Sequence, residues 1–91
     1  MLQSCTALTG TVAATITLSC ANEVKLSNPS SDVVYLKFNW TSGNTEVSAT
    51  NFDSIIPVGQ IWSMANNIRS PRLNNVRVLC ASSISLGVMG W

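Results

Sequence analysis

The 91-residue sequence predicts an all-β fold, an antiparallel β-sandwich or jelly-roll-like domain of about seven short strands. Apolar residues recur with period two through most of the chain, which is the phasing of half-buried strands. Turn-forming residues punctuate the sequence about every 8–12 positions, the spacing of a sandwich or small barrel. About a third of the residues are Ser, Thr or Asn, side chains that suit strand edges and turns better than helix interiors.

Residues 1–10 are polar and irregular and read as an N-terminal arm, ahead of one sandwich domain over 11–91. In the first expected strand Val12, Ala14, Ile16, Leu18 and Cys20 alternate with Thr11, Ala13, Thr15, Thr17 and Ser19. Val24 and Leu26 continue the alternation, and Asn28-Pro29-Ser30-Ser31-Asp32 is a strong turn, with proline fixing φ and its neighbours able to bond their own backbone. Val34, Leu36, Phe38 and Trp40 then share a face expected to meet the core, with Val33, Tyr35, Lys37 and Asn39 opposite. Thr41-Ser42-Gly43-Asn44 closes a hairpin into a polar edge strand over 45–50, followed by an irregular stretch over 51–55. Pro57-Val58-Gly59 introduces a strand over 60–65, in which either Trp62 and Met64 or Ile61 and Ala65 face inward. After a long connection, Val76, Val78 and Cys80 mark one strand, and Ile84, Leu86 and Val88 the last.

Only 10% of the residues are charged, against about 25% in an average soluble domain, while 46% are hydrophobic. Ordinary hydrophobicity with a net charge of +1 argues against disorder. Five cations are too few for a nucleic-acid stripe, and the local cluster Arg69, Arg72 and Arg77 reads as a solvated or ion-paired edge. No run approaches the 18 or so apolar residues of a membrane helix. Ala7 to Leu18 lacks a basic flank and is interrupted by threonines, so no cleaved leader is expected. Cys5, Cys20 and Cys80 are expected to be reduced and mostly buried. With no histidine and no Cys-x-x-Cys pair, no metal or other cofactor is implied.

The stretch Val24-x-Leu26-x-Asn28-Pro29, then Val33-Val34-Tyr35-Leu36-Lys37-Phe38, then Ile56-Pro57-Val58-Gly59-Gln60, resembles the small β-sandwich structural proteins of tailed bacteriophages. Val76 to Cys80 and the Gly-containing tail through Trp91 extend the resemblance. It implies a non-enzymatic virion component made in the bacterial host cytoplasm: a capsid decoration or cement protein, or a minor collar or tail protein. Its partners would be the major capsid protein or neighbouring head or tail subunits, in a homo-oligomer, with no nucleic acid and no membrane.

No enzyme is expected, because histidine is absent and Glu23, Asp32, Glu46 and Asp53 fall at strand ends or turns. Tyr35, Trp40, Trp62 and Trp91 offer the alternative of a sugar-stacking platform, as in a receptor- or carbohydrate-binding module. Low charge favours contacts with other protein chains instead, since few ions would be desolvated. Met1, Leu2, Tyr35, Trp62 and Trp91 are the expected interface residues, with the N-terminal arm and Trp91 held by another subunit.

Overall fold

Period-two alternation becomes strand wherever both faces find a use. The computed structural model describes residues 2–18, 22–66 and 73–90. Among them are eight strands: β1 (Leu2–Leu8), β2 (Ala14–Thr17), β3 (Glu23–Ser27), β4 (Val34–Phe38), β5 (Ser54–Ile56), β6 (Ile61–Ala65), β7 (Asn75–Cys80) and β8 (Ile84–Gly90). They form two four-stranded sheets, sheet I in the order β1-β8-β3-β6 and sheet II in the order β2-β7-β4-β5. Every neighbouring pair is antiparallel.

The first strand pairs with the last, the second with the seventh, the third with the sixth, and the fourth with the fifth. A chain doubled into one long hairpin and then rolled up gives this order; β3 meets β8 and β4 meets β7 as the roll closes. The result is an eight-stranded jelly roll, the all-β sandwich that the alternation predicts.

Between the sheets lie Val24 and Leu26 of β3, Val34 and Leu36 of β4, Val76, Val78 and Cys80 of β7, and Leu86 and Val88 of β8. Each fully buried Val or Leu contributes about 1.5–3 kcal/mol relative to an exposed position. The two possible phases of β6 resolve in favour of Trp62 and Met64, which pack against the core, while Ile61 points out and is 64% exposed.

The strand inventory differs from the sequence reading in four places. Residues 2–8, read as part of an arm, are strand β1, paired along their length with β8 of the same chain. The strand expected from residue 11 begins at Ala14, because Thr11 sits at φ 66° in a turn closed by Val12 N–H to Thr9 O (2.9 Å), leaving Val12 exposed. The edge strand expected over 45–50 is a loop. Asn51 Nδ2 donates to the carbonyls of Thr45 (3.2 Å) and Glu46 (2.9 Å), so local side-chain bonds take acceptors that a ladder would use. The strand of this region is instead β5, within a stretch read as irregular and its connection, with Ile56 buried and Ile55 turned outward.

Trp40 also departs from its expected place in the core. Asn39 adopts φ 49°, a left-handed conformation that asparagine tolerates, and this breaks the alternation after Phe38. The amides of Asn39 and Asn75 then prolong the β4–β7 pairing. Asn39 Oδ1 accepts from Asn74 N–H (2.7 Å), and Asn75 bonds both the N–H and the carbonyl of Trp40 (2.8 and 3.1 Å).

Candidate interaction surfaces

One end of the roll is tied by a buried amide. Asn28, 1% exposed, donates through Nδ2 to the carbonyls of Asp32 (2.9 Å), Ile56 (3.1 Å) and Pro57 (3.3 Å). Its Oδ1 accepts from the N–H and hydroxyl of Ser30 (3.0 and 2.8 Å). The Asn-Pro turn and the Pro-x-Gly turn, distant in sequence, are therefore one polar joint between the β3–β4 and β5–β6 connections. Gly59 at φ 68° gives the second turn its left-handed third position, closed by Gln60 N–H to Pro57 O (3.1 Å). Ser82 donates to the Asp32 carboxylate and draws the β7–β8 turn to the same joint.

The outer face of sheet II carries a polar half and an apolar half. On β7, Arg77 makes a two-point contact with Glu46, Nε to Oε1 at 3.0 Å and Nη2 to Oε2 at 2.8 Å. It also donates to Thr15 Oγ1 (2.9 Å) and lies 4.2 Å from the centroid of the Trp40 ring. Hydrogen bonding to Arg77 holds the Glu46 carboxyl below its ordinary range, and the same bond raises Arg77. Next to it, Lys37 and Asp53 pair at 3.4 Å, and Asp53 Oδ2 accepts from Phe38 N–H (2.8 Å). The loop over 39–53 thus folds back onto the sheet and fixes four carboxylate bonds there.

In the apolar half, Ile55, Tyr35 and Leu79 stand in one row across β5, β4 and β7. Phe52 packs on Tyr35 with ring centroids 5.3 Å apart. Phe52 and Ile55 are 43% and 36% exposed, and Val58 nearby in sequence is 48% exposed, so hydrophobic surface faces solvent here.

The outer face of sheet I mixes small side chains with a few long ones. Its rows bring Gly87, Ser27 and Ile61 together, then Met89, Lys25 and Ser63, then Glu23 and Ala65. Gly87 lets β8 approach β3 closely; a Cβ there would stand 3.1 Å from that of Ser27.

Of the expected interface residues, Tyr35 lies on the outer face of sheet II at the centre of the apolar patch. Trp62 lies on the inner side of sheet I, its ring 5.8 Å from that of Phe38, bridging the two sheets. Leu2 begins β1 opposite Gly90. Met1 and Trp91 fall outside the described residues, as do Cys20 and the Arg69 and Arg72 members of the basic cluster. Cys80 is a buried free thiol. Tyr35, Trp40 and Trp62 do not form one platform: Trp62 faces the interior, and a face of the Trp40 ring is covered by Arg77. Among the described residues no three His, Cys, Asp or Glu side chains converge as a metal site.

Sequence reasoning missed Phe52 and Ile55, because they flank a short strand whose partner is set by the fold. The adjacent isoleucines Ile55 and Ile56 were the available signal, since in any strand one of the two must face outward. No family model, no curated protein and no solved structure matches the chain.

Proposed function

We propose that this chain is a non-enzymatic structural subunit of a bacteriophage virion, a capsid decoration or cement protein synthesised in the host cytoplasm. The observation that carries the reading is the apolar patch of Tyr35, Phe52, Ile55 and Leu79 on a rigid sheet. It is an exposed hydrophobic area bordered by ion pairs, the make-up of a protein-binding surface. The jelly-roll order supports the same reading, since capsid proteins are among the users of this architecture. Three of the four carboxylates, Asp32, Glu46 and Asp53, are engaged in holding turns and loops, which suits a passive role.

The patch lies against the shell, and a subunit that binds only the assembled state stabilises it by mass action. Quantitative mass spectrometry of purified particles tests this. The expected result is hundreds of copies per particle, a lower bursting temperature for particles lacking the chain, and at least about 30-fold weaker rebinding for Tyr35→Glu, the loss of one hot-spot residue. Tens of copies or fewer would move the chain to the collar or tail. A purified protein that ignores particles and binds a glycan array would refute the structural assignment.

A further inference from the structure

The open edge of sheet I carries a self-complementary strand. β6 is outermost in that sheet and pairs with β3 alone. Asn28 N–H donates to Gln60 O at 3.0 Å, one step beyond the Ser27↔Ile61 register. Bonded and non-bonded pairs alternate along an antiparallel ladder. The bonded pairs are therefore Asn28/Gln60, Leu26/Trp62 and Val24/Met64, and the backbone N–H and C=O groups of Ile61, Ser63 and Ala65 point away from β3. Among the described residues nothing bonds to those of Ile61 and Ser63 or to the Ala65 N–H, while the Ala65 carbonyl leads into the 3-10 turn that opens at Asn66.

Native sheets protect such edges by shortening them, by charge or by proline. Sheet II follows this rule: β2 has 4 residues, and β5 has 3 and runs into Pro57. β6 has 5 residues, Ile-Trp-Ser-Met-Ala, with neither charge nor proline. β1, the other edge of sheet I, is also uncharged, with 7 residues.

We infer that β6 pairs with β6 of a second copy of this chain, antiparallel about a two-fold axis through Ser63, making one continuous sheet across the dimer. The outward-pointing residues are those such a pairing needs. Ser63 exchanges both backbone bonds with the partner's Ser63, and the Ile61 carbonyl accepts from the N–H of the partner's Ala65, giving about four bonds over three pairs. Side-chain sizes match as well. The large Ile61 stands beside the small partner's Ala65, and serine meets serine on the axis. On the other face Trp62 stands against the partner's Met64 in a non-bonded pair, where side chains come closest and sulfur packs well on an aromatic ring. Pairing β6 with β1 of another copy is heterologous and leaves further edges open, whereas the two-fold arrangement closes. The inference goes beyond the virion reading, because a chain that never meets a shell would dimerise in the same way.

Sedimentation equilibrium of the purified chain, with two variants, tests it. Ser63→Pro removes the outward N–H at the axis while sparing the β3–β6 bonds, a position at which an edge strand tolerates proline. The wild-type chain should dimerise at up to a few hundred micromolar, the weak range expected of a small interface. Ser63→Pro should raise the dissociation constant at least about tenfold through loss of the two central bonds, with an unchanged circular dichroism spectrum. Ser63→Cys gives a second readout that does not depend on folding of the proline variant. Paired residues about 5.5 Å apart are within disulfide reach, so mild oxidation should give a dimer whose peptide map shows a 63-to-63 link. A wild-type chain that stays monomeric, equal association by a folded Ser63→Pro, or a link from position 63 to Cys5 would overturn the inference. Particle binding by a strictly monomeric chain would overturn it while leaving the virion reading standing.

Discussion

Replacing Asn28 with alanine removes the joint between two turns and takes one partner from each backbone group it holds. The N–H of Ser30 loses its acceptor in a partly buried setting, while the carbonyl of Ile56 loses one donor in a buried one and keeps the ladder bond of the Val34/Ile56 pair. The Asp32 carbonyl keeps a donor, since Ser30 Oγ also reaches it at 2.8 Å. An orphaned buried group costs about 1–3 kcal/mol. One partly hydrated orphan and two or three forfeited bonds of roughly 0.5–1 kcal/mol each then sum to about 3 kcal/mol. Against a total stability of roughly 5–14 kcal/mol for a chain of this length, that is a large fraction, and it lowers the melting temperature by about 12–24 °C. Urea titration followed by tryptophan fluorescence measures the loss directly, with the denaturant slope expected to stay at the wild-type value. Ser31→Ala, in the same turn but exposed, is the control and should cost less than about 0.5 kcal/mol. If Asn28→Ala fell within about 1 kcal/mol of the wild type, Asn28 would not be a joint and the account of both turn motifs would be wrong.

The Glu46 carboxyl is held below its ordinary range, so its contribution is present above about 4.5 and is lost as the pH falls through the lower folded value. Because the pair is exposed, the effect should be no more than about 1 kcal/mol, read as the difference in urea midpoint between pH 7 and pH 3 that Glu46→Gln removes. In the core, Leu36→Ala leaves a cavity between the sheets and should cost about 2–5 kcal/mol by the same titration; a loss below about 1 kcal/mol would mean the sheets collapse onto the gap.

What could be read in the sequence was what alternation encodes locally. Val34 and Leu36 point inward and Tyr35 outward because strand phase alone decides them, and the same holds for Val76 and Val78 against Arg77. Where a distant residue decides, the sequence was silent. Trp40 leaves the core because Asn39 turns left-handed and Asn75, 35 positions on, takes its backbone. Thr45 to Thr50 lies in a loop because its own asparagine competes for the backbone and Glu46 is drawn to Arg77, 31 positions away. Leu2 to Leu8 carries no strong alternation, and its identity as a strand comes from a partner at the far end of the chain. The apolar patch was half legible for the same reason: Tyr35 follows from phase, whereas Phe52 reaches it only through the fold of the β4–β5 loop.

Pairing of the first strand with the last has a consequence for how the molecule is made. Leu2 meets Gly90, so sheet I cannot be completed until β8 has left the ribosome. The inner hairpin of β4 and β5 closes a loop of 15 residues and can form early, whereas β1 and β8 must close one of 75 residues. Folding dominated by such distant pairings takes milliseconds to seconds, about the range of all-β sandwiches. Throughout synthesis, β3 and β6 can pair while β8 is still missing, so a nascent chain displays the unprotected β6 edge before it has a finished core.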